Sequence, residues 1–365
     1  MSRKSWSIVG YVSLALIVVA SVLVWRFLAA TGYFTGIRQE IAADCRAIEA
    51  VPGPEDIQID HETGIAYISA YDRRLVHSGE EGVDVVRGGI YAIDLNKPEA
   101  EWALYPVTAP EPADFRPHGI SIYKGEDGTK RLFVINHSVR SGESVEIFSI
   151  GDEGHLTHLR TIRDPLFISL NDLVASGPES FYATNDHGRT SDLGKLFDNF
   201  LLLRNSNVVH FNGTSTRIAA DTISFANGIN LSADGKTLYV ASMLGMSLHI
   251  YQRNLETDRL RPFDMVRLGT GVDNIDVQPD GSLLIGAHPK ILDVMAHASD
   301  PKALSPSQVV RIVPEEQKAG TIYLNMGEEI SAISTAAGYG DKMLLGQVFE
   351  PRVLVCTQSK ELRAW

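Results

Sequence analysis

No Gly-x-Ser-x-Gly turn occurs in the chain, so a serine-hydrolase mechanism lacks its usual marker. Cys-x-x-Cys and His-Glu-x-x-His are also missing, which removes the common zinc arrangements. Gly269-Thr270-Gly271 is a lone glycine pair with no phosphate-loop lysine behind it, and it reads as a turn. Basic residues are in deficit. With 33 Lys and Arg against 45 Asp and Glu, the net charge is −12, which argues against nucleic acid as a partner. That acidity reads as solubility, apart from a few carboxylates that a bound cation would neutralise. Past the first segment there is no low-complexity linker, and helical periodicity is weak. Hydrophobic content of 44% with 8% aromatics excludes disorder.

What is present starts at the N-terminus. From Ser5 to Trp25 the chain carries no charge, and as a helix this run spans roughly 30 Å, the depth of a bilayer core. Arg3 and Lys4 precede it and favour a cytoplasmic N-terminus with an exported body. Trp6, Trp25 and Tyr33 stand where interfacial aromatics belong. A cleaved signal peptide competes with an uncleaved anchor, with Ala30-Thr31-Gly32 as its small-x-small site, but the apolar run is long for that. The expected division is therefore a membrane anchor at 1–34 and one exported, extracytoplasmic domain at 35–365. Cys45 and Cys356 are the only cysteines. They can pair in an oxidising compartment and tie the ends of the domain together, or they are two unrelated thiols.

The body is a succession of short β-type runs, among them Ile65–Ser69, Leu132–Asn136, Leu238–Ser242 and Ser282–Gly286. Asp234-Gly235 and Asp280-Gly281 predict tight hairpin turns of the two-residue type. Ser191 to Leu203 predicts a short helix. A polar pair followed by an apolar strand restarts near Asp56, His118, Asn171, Asn227, Asn274 and Ser331, at intervals of about 47–62 residues. Each interval holds four short strands, the size of one propeller blade. The predicted fold is all-β, a six-bladed β-propeller behind an N-terminal transmembrane helix. A two-sheet sandwich is the runner-up and gives no reason for the spacing.

Those polar pairs carry the chemistry. Buried polar groups on apolar strands are costly unless something binds them. A set of Glu, Asp and Asn oxygens is what a hard cation such as calcium requires. Singly, an Asn-Gly or Asp-Asn pair is a β-turn. A propeller would bring one such pair per blade to a single axis.

Taken in order, Pro54-Glu55-Asp56, Pro117-His118-Gly119-Ile120-Ser121, Val134-Ile135-Asn136-His137, Leu170-Asn171-Asp172, Gly177 to His187, Phe225 to Asn230, Val272-Asp273-Asn274-Ile275 and His288-Pro289 resemble the paraoxonase/arylesterase family. The resemblance covers essentially everything after the anchor, and the terminal cysteine pair and hydrophobic N-terminus look like that family too. It implies calcium-dependent hydrolysis of lactones and aryl esters on a six-bladed propeller with two Ca2+ ions. The catalytic ion would be held by Glu55, Asn171, Asn227, Asp273 and Asn274. The structural ion would be held by Asp56, Asp172 and the backbone carbonyl of Ile120. His118 would deprotonate water, with His137 as its relay, and Asp273 is the alternative base or nucleophile. His187 and His288 would line the pocket or brace the cage; the other seven histidines read as surface or structural.

The chain also departs from the family's pattern. The free cysteine expected before His288-Pro289 is Ala287, so no thiol acts there. The charged loop from Tyr71 to Arg87 does not follow the family, so substrate choice does not carry over. A gluconolactonase-like sugar-lactone hydrolase is the alternative enzyme. A non-catalytic propeller that binds a ligand at its tunnel mouth is the alternative of a different class.

Overall fold

The computed structural model describes residues 3–37, 41, 43–78, 87–108, 112 and 114–358. Glu80 and Glu81 of the charged loop lie outside the described residues, as do the side chains of Arg3, Lys4 and Trp6. Six four-stranded antiparallel sheets form the body. The first holds β2 (Pro54–Asp60), β3 (Ile65–Ala70), β4 (Gly89–Asp94) and β5 (Tyr105–Pro106); β1 (Asp44–Glu49) precedes it in the chain. The second holds β6 (Pro117–Lys124), β7 (Lys130–Ser138), β8 (Gly142–Ile150) and β9 (Leu156–Ile162). In the third are β10 (Leu170–Ala175), β11 (Phe181–Asn185), β12 (Ser206–Phe211) and β13 (Thr216–Ile223). The fourth comprises β14 (Ala226–Leu231), β15 (Thr237–Ser242), β16 (Ser247–Arg253) and β17 (Leu260–Arg267). The fifth comprises β18 (Gly271–Val277), β19 (Leu283–His288), β20 (Ser307–Val313) and β21 (Lys318–Asn325). The last joins β22 (Ile333–Tyr339), β23 (Lys342–Gln347) and β24 (Arg352–Thr357) to β1. This is a six-bladed propeller. Its core is the apolar packing between blades, as where Phe181 meets Phe133 of blade two at 6.0 Å and Phe211 of its own blade at 5.4 Å between ring centroids.

The innermost strands β2, β6, β10, β14, β18 and β22 share one irregularity. Each breaks register with its neighbour near its start: between Pro54 and Asp56, Pro117 and Ile120, Leu170 and Leu173, Ala226 and Ile229, Val272 and Ile275, and Ile333 and Thr335. The residues the ladders skip are Glu55, His118-Gly119, Asn171-Asp172, Asn227-Gly228, Asp273-Asn274 and Ser334. A bulge frees a residue from cross-strand pairing and re-aims its side chain. The polar pairs of the sequence are therefore the bulges of the inner ring.

The ring closes between the chain's two ends. β1 runs antiparallel to β24, Cys45 stands directly opposite Cys356, and the two form a disulfide across 311 residues. Closing so long a loop removes unfolded-chain entropy worth roughly 5–6 kcal/mol at most in the chain-entropy treatment. The double variant Cys45→Ala/Cys356→Ala should melt well below the parent protein, with β1 the first strand to exchange its amide protons. An unchanged melting curve would show that strand pairing alone suffices.

Two sequence expectations need correction. Asp234-Gly235 and Asp280-Gly281 are not two-residue hairpins: the loops run from Ser232 to Lys236 and from Gln278 to Ser282. Only the glycine of each pair has positive φ, +68° and +80°, and its N–H closes a turn onto the carbonyl three residues back. A type I′ turn needs both residues there.

Helices decorate the fold. α1 (Arg3–Ala30) contains Gly10–Ala30, a stretch long and apolar enough to cross a membrane. α2 (Arg73–Ser78) begins the charged loop, and α3 (Asp192–Phe200) is the helix expected from Ser191 onward, with the Ser191 hydroxyl accepting from Gly194 N–H. α4 (Ile291–Ser299) follows β19. Phe27 of α1 packs on Phe200 of α3 at 5.3 Å, and Ile291 N–H donates to Thr31 O at 3.0 Å. The end of α1 is thus seated on α3 and α4. Leu193, Leu196 and Phe197 of α3 remain exposed beside it.

Candidate active site

Glu55, Asn171, Asn227, Asp273 and Asn274 are all buried, each on the bulge of a different inner strand except the last two, which share one. Asn274 Nδ2 donates to Glu55 Oε1 at 2.9 Å, a bond between blades five and one, which are not neighbours in the ring. That contact crosses the blade between them and fixes the two side chains near the axis. Around them, four buried oxygens have no hydrogen-bond partner: Glu55 Oε2, Asn171 Oδ1, Asn227 Oδ1 and Asn274 Oδ1. An unsatisfied buried acceptor costs about 1–3 kcal/mol, and four on one set of bulges are oxygens of the kind a hard cation would satisfy. Among the described residues no three His, Cys, Asp or Glu side chains converge as a metal site, and the set is mixed, with carboxamides supplying three of the orphaned oxygens.

Asp56 and Asp172 form a second acidic pair. Asp56 accepts from Ile57 N–H and from Ile120 N–H of the next blade, both at 2.8 Å. Asp172 does the same with Leu173 N–H at 2.7 Å and Ile229 N–H of the next blade at 2.8 Å. Burial pushes both carboxyls well above their ordinary value, with the Glu55 charge adding to the rise at Asp56 and the Asp56 charge at Asp172. Acidic groups are thus crowded along the axis. Two glycines permit that crowding: a Cβ on Gly119 would stand 2.4 Å from Asp172 Oδ1, and one on Gly228 would stand 2.3 Å from Asp273 O. Thr184 pins the bulges of blades three and four, accepting from Asp172 N–H at 3.0 Å and donating to Asn227 O at 2.7 Å.

The histidines sort by contact. His118 Nδ1 lies 2.6 Å from His137 Nε2, so the expected pair is a bonded pair. His118 Nε2 faces Glu55 Oε2 at 3.4 Å. Burial lowers the His118 imidazole below its ordinary value, while Glu55 pulls it back in part. At Glu55 burial works upward, but His118, Arg73 and the Asn274 amide outweigh it and bring the carboxyl down to about 2. His288 Nε2 bonds Asp273 Oδ2 at 2.8 Å and so braces that carboxylate. His187 instead links Asp186 at 2.7 Å to Asn199 of α3 at 3.0 Å, with its ring on Phe225.

Three contributors escape sequence reasoning. Arg73, inside the charged loop, is only 4% exposed; it donates to Gly53 O at 3.1 Å and lies 3.7 Å from Glu55 Oε2. Glu143 bonds His137 Nδ1 at 2.7 Å. Thr184 sits in a motif noted for its Asn, Asp and His, not for its hydroxyl. Only the first had a signal, since Asp72-Arg73-Arg74 departs from the family's pattern.

Residues 45–358 match the Arylesterase family model. Serum paraoxonase/arylesterase 1 of Rattus norvegicus is 36% identical over 318 residues, 85% of this chain and 87% of that protein. Serum paraoxonase/arylesterase 2 of the same species is 34% identical over 350 residues, covering 91% and 94%. Serum paraoxonase/lactonase 3 of Homo sapiens is 35% identical over 320 residues, covering 86% and 88%. Among solved structures, a luciferin-regenerating enzyme superposes with a TM-score of 0.54 at 13% identity, over 87% of this chain and 96% of that one, a likeness of fold alone. A propeller whose inner bulges carry buried acids, amides and a bonded histidine pair, matched over nearly its whole length, belongs to the arylesterase family of ester-hydrolysing enzymes.

Proposed function

We propose that the chain is a calcium-dependent hydrolase of lactones and aryl esters, anchored by α1 with its propeller on the extracytoplasmic side. The observation that supports this most is the four partnerless oxygens of Glu55, Asn171, Asn227 and Asn274 beside the His118–His137 pair. Those residues with Asp273 would hold a catalytic Ca2+, and Asp56, Asp172 and the Ile120 carbonyl a structural one. Two acids would formally neutralise a bound Ca2+, and these five side chains fall short of the six to eight oxygens it takes, so it would keep a position open to act as a Lewis acid toward a substrate carbonyl oxygen.

The chain's own residues account for the proton. His118, neutral near pH 7 because burial lowers it, takes a proton from water at Nε2. His137, bonded at Nδ1 of His118, holds the ring in place and shares the positive charge that develops. The hydroxide attacks the carbonyl carbon, and the tetrahedral adduct collapses by breaking the acyl–oxygen bond. The proton on His118 then goes to the departing alkoxide or phenolate. His288 keeps Asp273 oriented throughout. An apolar α1 near the chain's start and a disulfide, which persists in oxidising compartments, support the extracytoplasmic placement.

The test is a panel of phenyl acetate, a long-chain lactone and a sugar lactone, each with and without EDTA. Hydrolysis of the first two, lost on chelation and restored by Ca2+, is the expected result. Turnover of the sugar lactone alone would move the chain to the gluconolactonase class. No turnover of any would leave a binding propeller.

A further inference from the structure

We propose that Glu143 is a positioning residue that sets the tautomer of the histidine pair, so that the site carries a carboxylate–imidazole–imidazole relay instead of two histidines alone. The inference deepens the hydrolase reading and rests on it. Glu143 Oε2 lies 2.7 Å from His137 Nδ1, and His137 Nε2 lies 2.6 Å from His118 Nδ1. A carboxylate only accepts hydrogen bonds. His137 must therefore carry its proton on Nδ1, which leaves Nε2 as a lone pair. That lone pair accepts from His118 Nδ1–H, and the second ring in turn presents an unprotonated Nε2. This is the nitrogen that faces Glu55 Oε2 at 3.4 Å, longer than an ordinary N–H···O bond, so the contacts at 2.7 and 2.6 Å set the tautomer of the pair. One carboxylate at the far end of the chain of bonds thus decides which nitrogen of His118 is available as a base.

The placement is built, not incidental. His137 and Glu143 are direct cross-strand partners in the β7–β8 hairpin, so both side chains emerge on the same face. The hairpin's tip is tied down by Asp114, whose Oδ2 accepts from Ser138 Oγ at 2.8 Å and from Arg140 N–H at 2.9 Å. Ser141 N–H closes onto Ser138 Oγ at 3.0 Å. His137 N–H donates to Arg116 O at 3.1 Å, which fixes the ring's own backbone. A single hydrogen bond between side chains that are 22% and 23% exposed would by itself contribute little to stability. Its expected consequence is in turnover instead.

Glu143→Ala, Glu143→Asp and Glu143→Gln are to be compared in the full chain with calcium present. Glu143→Ala should lower kcat by on the order of 10-fold or more, with KM and the calcium-dependent melting shift unchanged. Gln still offers an acceptor oxygen and should recover part of the loss, as should Asp. Nitrogen-15 spectra of labelled histidine should show a His137 Nδ1–H tautomer in the parent and its loss in Glu143→Ala. A kcat for Glu143→Ala within twofold of the parent, or an Nε2–H tautomer at His137, overturns the proposal. If the parent hydrolyses none of the panel, the hydrolase reading falls, and the tautomer spectra still decide the role of Glu143.

Discussion

Stripping calcium should lower the melting temperature by about 10 °C and abolish hydrolysis, with both restored on adding Ca2+ back. The size follows from linkage: a ligand at a thousand times its Kd stabilises the folded state by about 4 kcal/mol. The direction follows from the axis itself, where Asn171, Asn227, Asn274 and Glu55 each present an oxygen that accepts no hydrogen bond. Without a cation, Asp56 and Asp172 are buried and repelled by neighbouring acids, which raises both carboxyls. An acid whose pKa is raised by folding binds more protons in the native than in the unfolded state. Stability of the stripped protein therefore falls as pH rises above the ordinary carboxylate value. The melting gap between loaded and stripped protein should accordingly widen from pH 5 to pH 8. A gap that is absent, or that narrows with pH, would remove the ion from the axis.

The same axis explains what was legible in the sequence. Apolar strands tolerate a polar pair only where the ladder is interrupted, so Asn171-Asp172, Asn227-Gly228 and Asp273-Asn274 stand out, and their spacing gives the blade count. Cys45 and Cys356 at the ends are legible as a closure because a ring must join its last sheet to its first segment. Glu143 was not legible. It sits in Ser141-Gly142-Glu143-Ser144, which reads as a turn, and its partner is set by hairpin register, His137 opposite Glu143. Arg73 looks like part of a solvated loop, yet it is buried. It fits against Gly53, where a Cβ would come within 2.9 Å of its Nη1 and which holds φ at +68°, a conformation glycine adopts without strain. Local pattern reports which residues interrupt a strand, and it says little about which side chains meet across two turns of the ring.

His118→Gln should cost on the order of 10²–10⁴-fold in kcat, the range expected for losing a general base. Glutamine is close in volume and keeps polar atoms near Glu55 and His137, so the change removes basicity more than shape. Calcium binding should survive, because His118 approaches the cage only through Glu55 Oε2 at 3.4 Å and supplies none of the partnerless oxygens. The melting shift on adding Ca2+ reads this directly. Asp273→Asn gives the contrast. It removes a buried charge from the proposed donor set and replaces the carboxylate that His288 Nε2 bonds at 2.8 Å with a weaker, neutral amide acceptor, so activity and calcium shift should fall together. The two variants thus separate proton transfer from metal holding: one loses rate alone, the other loses both. A His118→Gln enzyme at full rate, beside an inactive Asp273→Asn that still binds calcium, would assign the base or nucleophile to Asp273.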